Sequence, residues 1–292
     1  MATKLAQLRP IDVDHARAAM PLAFGRPFGE RAWRYGLILL GLAYFGYLLW
    51  LFDFSPARLY SGLVSPNGLF VIAGQMVSWH GMAEWQFAEI FAALGQTVAM
   101  AFIGTLIASV VAIPLGFLGA RNILPIGILR FGFRRLFDGL RGVDQLIWAL
   151  VFVRAVGLGP LAGILAICVS DIGSLSKLYA EAIETAEKKQ IEGVRSTGAS
   201  PLAVLRFGVL PQAIPLFLSQ ALYFFESNTR SATILGIVGA GGIGLQISER
   251  IKILAWDQVA FILILVLVTV ALIDTLSKWL RLKLIGREAA RH

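Results

Sequence analysis

Charge is scarce in this chain. Charged residues are 15% of its 292 positions, against roughly 25% in ordinary soluble domains. The apolar share is 57%. A soluble domain of this length could not bury so much apolar surface, so a soluble enzyme and a disordered chain are both excluded. Cysteine is nearly absent: Cys168 stands alone, which excludes an internal disulfide and a disulfide scaffold. Histidine occurs at His15, His80 and His292, scattered and without partners at metal spacing, so no metal site is expected. No G-x-x-x-x-G-K-[ST] occurs, so no ATP site is expected within this chain. Nor can a Ser/His/Asp set be placed on one side of a bilayer, which disfavours a membrane enzyme.

What is present is a series of uncharged runs. An α-helical span needs about 20 apolar residues. Residues 35–52 carry no charge between Arg34 and Asp53 and predict a first, uncleaved anchor helix, preceded by a basic segment 1–34. Residues 53–86 read as an external connection, because Ser65-Pro66-Asn67-Gly68 is a turn signal within a run broken by small and polar residues. Residues 90–120 predict a second span ending near Pro114 and Arg121. Residues 145–153, the turn Gly157-Leu158-Gly159-Pro160 and residues 161–179 predict a hairpin of two spans. A fifth span begins over 210–225 and a sixth covers 259–280, before a basic tail at 282–292.

Lysine and arginine orient these spans, because cytoplasmic segments carry the excess. With the amino terminus inside, segments 1–34, 120–142, 177–206 and 278–292 hold six, five, five and five basic residues. The outer segments 53–86, 154–160 and 226–256 hold one, one and three. The sequence therefore predicts an all-α membrane protein with about six transmembrane helices and both termini cytoplasmic. The net charge of +8 is topological and does not signal nucleic-acid binding.

The cytoplasmic segment 181–211 has an unusual design. Glu181 to Glu192 is rich in helix formers, and Glu184 and Lys188 are four apart in the favourable order. Gly198 can take the left-handed conformation that stops a helix, and Ser200-Pro201 reads as an N-cap with proline in the first turn. Helix, tight turn, helix is the expectation. A solvated connector and a docking element both fit it.

The spacing of Glu192, Gly198, Leu210 and Pro211 resembles the loop signature of ABC-importer permeases, Glu-Ala-Ala, three residues, Gly, nine residues, Ile, one residue, Leu-Pro. Gly193, Val194 and Gly208 depart from it. Wider stretches, Lys177 to Glu184, Val209 to Pro215, Phe225 to Gly236 and Gly239 to Gly244, are similar to the phosphonate branch of these permeases. The resemblance covers roughly 93–280. It implies a type I ABC-importer permease core over 87–281 in a bacterial inner membrane. It also implies that a loop with Glu192, Arg195, Gly198, Ala199, Ser200, Pro201, Leu210 and Pro211 docks on a separate ATPase, which holds ATP and Mg. A homodimer, two ATPase subunits, an external binding protein and a phosphonate-like anion complete the expected system. Phosphite or an amino acid are alternative solutes.

Other features have competing readings. Gly239-Ala240-Gly241-Gly242-Ile243-Gly244 fits G-x-G-x-x-G, but no βαβ pattern surrounds it. A tight turn at the outer end of the pathway is the better reading. Asp171 sits mid-span among serines and either lines the pathway or bonds to a neighbouring helix. Asp274 and Lys278 read as an interface pair. Glu226 and Arg230 share a helix face. Arg230 is about 29 Å along from Pro211, which places it in the outer half of the span. It is either one member of a structural ion pair or, with Asn228 and Ser231, a guide for an anion. An ion-coupled carrier using Asp171, Glu226 and Arg230 is the rival class, and it has no use for the 181–211 loop.

Overall fold

The computed structural model describes residues 15, 18–19, 28–66, 68–79, 82, 85–123 and 125–289. Most of the basic segment 1–34, part of the tail 282–292, and His80 and His292 lie outside them. Every described element is helical. The chain divides into two units, Met1–Ala73 and Gly74–His292.

In the first unit α1, Phe28–Leu51, presents apolar side chains outward from Trp33 to Leu51. Such a surface suits lipid and no aqueous setting. Asp53 turns the chain with φ 54° and pairs with Arg58 at 2.7 Å. Ser55 then accepts the Arg58 N–H and Pro56 opens α2, Pro56–Val64. The unit boundary falls within α3, Leu69–Val77. The external connection is thus largely helical, although neither helix buries a residue.

The second unit is built around α7, Pro160–Glu184, which packs lengthwise on α4, Phe87–Gly119. Small residues make that approach possible: Ala101, Ala108, Ala112, Ala162 and Ala166 are fully buried, and a Cβ on Gly116 would meet Tyr179 at 2.8 Å. Around this pair lie α5 (Gly127–Gly142), α6 (Gln145–Val156) and α10 (Leu210–Leu235). After α7 come α8, Lys188–Ser196, and α9, Pro201–Val204. A π-helical turn, Leu205–Val209, joins α9 to α10. A second, Gly236–Ala240, ends α10 before α11, Gly242–Lys252, and α12, Trp256–Ala289.

Among the described residues, five helices are long and apolar enough to cross a bilayer: Ala32–Leu51, Phe87–Gly119, Pro160–Glu184, Pro201–Ala240 and Trp256–Lys283. The expected third span is shorter. Helix α6 has 12 residues, about 18 Å against a hydrocarbon core of about 30 Å. It forms a shallow hairpin with α7, whose tip is tied inward by the Gly159 N–H donating to the Gly239 carbonyl at 3.0 Å.

Aromatic belts set the depth scale. Trp79, Trp85, Phe87 and Phe261 cluster at the outer ends of α4 and α12, with centroids 5.4–6.4 Å apart. Trp279, under the Lys283 ammonium at 4.8 Å, marks the inner boundary. Trp256 to Trp279 is about 35 Å of helix.

Candidate functional site

The segment 181–211 is assembled from local signals. Helix α7 stops at Glu184, Thr185 caps it, and Glu187 precedes α8. The single helix expected over Glu181 to Glu192 is therefore broken at 185–187. The Glu184–Lys188 pair does not form. Glu184 instead accepts from Arg134 Nη2 at 2.6 Å and from the Arg121 N–H at 2.7 Å. Gly198 has φ 77°, Ser200 accepts the Ala203 N–H, and Pro201 begins α9. Glu192, Arg195, Gly198, Ser200, Pro201 and Leu202 are exposed, and Ala199 is half-buried. Gly208, one departure from the loop signature, lets the Ile191 backbone approach: a Cβ there would lie 3.3 Å from Ile191 Cα. Gln212 secures the joint, accepting the Glu187 N–H at 2.8 Å and donating to the Gly208 carbonyl at 2.6 Å. A cavity of about 560 Å³ lies beneath, lined by Asn122, Ile123, Ile191, Arg195, Leu202 and Leu205 among others.

The base of the loop is clamped to the spans. Arg134 on α5 also donates to the Gly119 carbonyl at 3.1 Å, and Asn122 donates to the Ile183 carbonyl at 2.8 Å. Asp138 on α5 pairs with Lys177 at 2.8 Å and Arg135 at 3.1 Å. The Lys177 ammonium holds the Asp138 carboxyl below its ordinary value.

Leu210 and Pro211 then open α10, which runs on from α9 through the π turn. Residues Pro201–Ala240 form one near-continuous rod of 40 residues, about 60 Å long. Its middle carries the polar candidates. Asn228, 2% exposed, donates to Thr105 Oγ1 at 2.7 Å and to Asp171. Gln145 donates to Asp171 Oδ1 at 3.1 Å and to Asn228 Oδ1 at 2.9 Å. Helices α4, α6, α7 and α10 thus meet at one buried polar knot, without a cation in it. Asp171 is bonded to neighbouring helices in this conformation.

Glu226 and Arg230 lie elsewhere on α10. Glu226 Oε2 pairs with Arg281 Nη2 at 2.8 Å, while Arg230 sits 3.7 Å from Oε1 and has 58% of its side chain exposed. Ser231, beside it, is half-buried. Arg281 lies just past the inner belt at Trp279, so Glu226 is held at the inner boundary. Arg230, one turn further out, belongs to the inner half of the span. The outer-half placement expected from Pro211 is thereby corrected: the rod begins well inside the cytoplasm. Asp274 and Lys278 pair at 2.7 Å nearby on α12.

The glycine segment forms the sharpest turn. Gly239, Gly241 and Gly242 have φ of 100°, 79° and 70°. The Gly242 N–H donates to Gln96 Oε1 at 2.9 Å and the Ile243 N–H to Thr97 Oγ1 at 2.8 Å. Gln96 is about 14 Å along α4 from its outer end. The turn is therefore recessed within the bundle, and α11 climbs back out, packing Ile243 and Ile247 against Ile90, Val259 and Ile262. At the top of α11 the structure adds a residue that the sequence reading did not single out. Arg250, 8% exposed, donates through Nε to Gln258 Oε1 at 3.0 Å and through Nη1 to Gln246. The spacing of Gln246 and Arg250 by four was a legible signal.

Comparison with known proteins fits this geometry. The family described as binding-protein-dependent transport system inner membrane component matches residues 112–286. The phosphite transport system permease protein PtxC of Stutzerimonas stutzeri is 36% identical over 271 residues, 92% of this chain and 93% of that protein. The phosphate-import permease protein PhnE of Mycolicibacterium smegmatis is 38% identical over 261 residues, 89% of this chain and 48% of that protein. An inward-facing structure of the MetNI methionine ABC transporter superposes with a TM-score of 0.59 at 22% identity, covering 67% of this chain and 95% of that one.

Proposed function

The chain belongs to the family of binding-protein-dependent transport system inner membrane components, and from that premise we propose that it carries a phosphonate or a related phosphorus oxyanion, such as phosphite, into the cell. It is a multi-pass inner-membrane permease subunit of an ABC importer. The observation that carries the solute assignment is the identity to a phosphite permease over nearly the whole of both chains. Arginine at both ends of the core, Arg230 and Arg250, suits such a solute, because the planar guanidinium matches tetrahedral oxyanions.

Two copies of this chain form the pathway, two cytoplasmic ATPases bind ATP and Mg, and an external binding protein delivers the solute. The exposed face of α8 and α9 docks in a groove of each ATPase. Closure of the ATPases moves Pro201, and the rod to Ala240 carries that displacement into the bilayer. The polar knot at Asn228 and the Glu226–Arg281 pair are the contacts that such a displacement strains, since they join the rod to α4, α7 and α12.

The test is uptake by the permease reconstituted with its ATPase and binding protein. Methylphosphonate, phosphite and phosphate are offered beside methionine. ATP-dependent uptake of at least one phosphorus compound is expected. Uptake of methionine alone would overturn the solute assignment, and uptake without any ATPase would overturn the coupling.

A further inference from the structure

Three half-buried cations of the inner half have a carboxylate: Arg134 has Glu184, Lys177 has Asp138 and Arg281 has Glu226. Arg250 is more buried than any of these, yet among the described residues it makes no ion pair. Its protein partners are neutral oxygens: Gln258 Oε1, Gln246 Oε1 and the Gln246 carbonyl at 3.4 Å. Two amides orient the guanidinium and leave its charge intact. Its Nη2 edge meets no protein acceptor among the described residues.

A buried cation held in place but not neutralised is costly unless an anion completes it. Arg250 stands at the outer end of α11, where an arriving solute first meets the bundle. One turn inward is Gln246, and two turns inward the Gly242 N–H meets Gln96, which is exposed on the mostly apolar α4. Polar steps therefore lead inward from the guanidinium. We infer that Arg250, positioned by Gln246 and Gln258, is the acceptance point for the tetrahedral phosphorus oxyanion as it leaves the binding protein. This rests on the solute assignment above. The site suits a small anion and not the surface of a folded partner, because so little of Arg250 is accessible. The exposed neighbours Glu249 and Lys252 are the groups that a folded partner could reach.

A purely structural arginine, complementing the carboxyl end of α11, makes a different prediction. Replacing Gln258→Glu supplies an internal carboxylate and keeps side-chain shape. For a structural arginine this is neutral or stabilising. For an acceptance point it discharges the guanidinium. The experiment uses the whole complex in vesicles, with saturating binding protein loaded with phosphite, methylphosphonate or phosphate. Gln258→Glu and Arg250→Gln should each lower uptake about tenfold or more while ATP hydrolysis stays within about twofold, so that solute moved per ATP falls. Gln258→Leu, which keeps the charge but removes one positioning bond, should fall between wild type and Gln258→Glu in uptake. Should Arg250→Gln fail to assemble, Gln258→Glu decides alone. Wild-type solute per ATP in Gln258→Glu would overturn the inference while leaving the permease function in place. No uptake of any phosphorus oxyanion by the wild-type complex would instead overturn the solute assignment, and the inference with it.

Discussion

The inner and outer halves of the core are held together by different chemistry. Towards the cytoplasm, ion pairs and charge-assisted bonds fasten helix ends: Arg134 to Glu184 and Gly119, Lys177 to Asp138, Arg281 to Glu226. Towards the outside, a glycine turn is pinned by Gln96 and Thr97, and the buried arginine has amides for partners. The inner half ties its helix ends together with ion pairs inside the chain. The outer half fits backbone to backbone and buries an arginine without an ion pair among the described residues. The cytoplasmic side is thus a charge-fastened clamp, and the outer side is shaped by main chain.

Breaking the clamp should have the largest effect. Glu226→Gln removes the carboxylate that pairs with Arg281 and Arg230. Removing one partner of a buried pair costs about 3–5 kcal/mol. Loss of assembled complex, read by size-exclusion yield, is the expected result, and Glu226→Gln with Arg281→Gln should recover much of it. Arg230→Gln, at an exposed position, should cost less than about 1 kcal/mol. The contrast between the two single variants tests whether Arg281 or Arg230 is the partner that matters.

The outer half should break sterically. Gly244→Ala places a Cβ against the Thr233 carbonyl and 2.8 Å from Gly236 Cα. Overpacking of this kind costs about 1–3 kcal/mol, which should appear as a lowered melting temperature of the purified protein.

A smaller effect on stability, with a large one on coupling, is expected of Gly198→Val. A branched residue at φ 77° costs about 1–2 kcal/mol, confined to an exposed turn. The variant should insert normally and bind its ATPase weakly, as measured by co-purification. Normal co-purification would detach this turn from docking.

The smallest effect belongs to Asp138→Asn. Because Lys177 lowers the folded value beneath the ordinary 3.8, the carboxylate stabilises the fold above that range, and its contribution fades as pH falls through the lower folded value. At neutral pH the variant should be mildly less stable, and the difference from wild type should vanish in strong acid. Thermal melts across pH check this.

Much of the design was legible because it is local. Uncharged runs between arginines located the spans, and Ser200-Pro201 and Gly198 gave the loop its cap and turn. What was hidden depends on partners far apart in the chain. Glu226 and Arg281 are 55 positions apart, and four helices bring Thr105, Gln145, Asp171 and Asn228 together. The depth of Arg230 was misjudged for a physical reason. Depth counted from Pro211 treats that proline as the membrane boundary, yet proline in a first helical turn does not stop a helix that enters from α9. Glu184 had Lys188 close by in sequence, and a better donor set arrived from α5.

The recessed glycine turn bears on how such a protein can change over generations. Three of its positions have backbones that L side chains rarely adopt, and Gly236 and Gly244 touch main chain to main chain. Each single substitution there costs stability, so this lining changes slowly over generations. Adaptation to a new solute would proceed through nearby side chains, Gln96 at the turn and Gln246 and Gln258 at Arg250, while the turn itself stays the same.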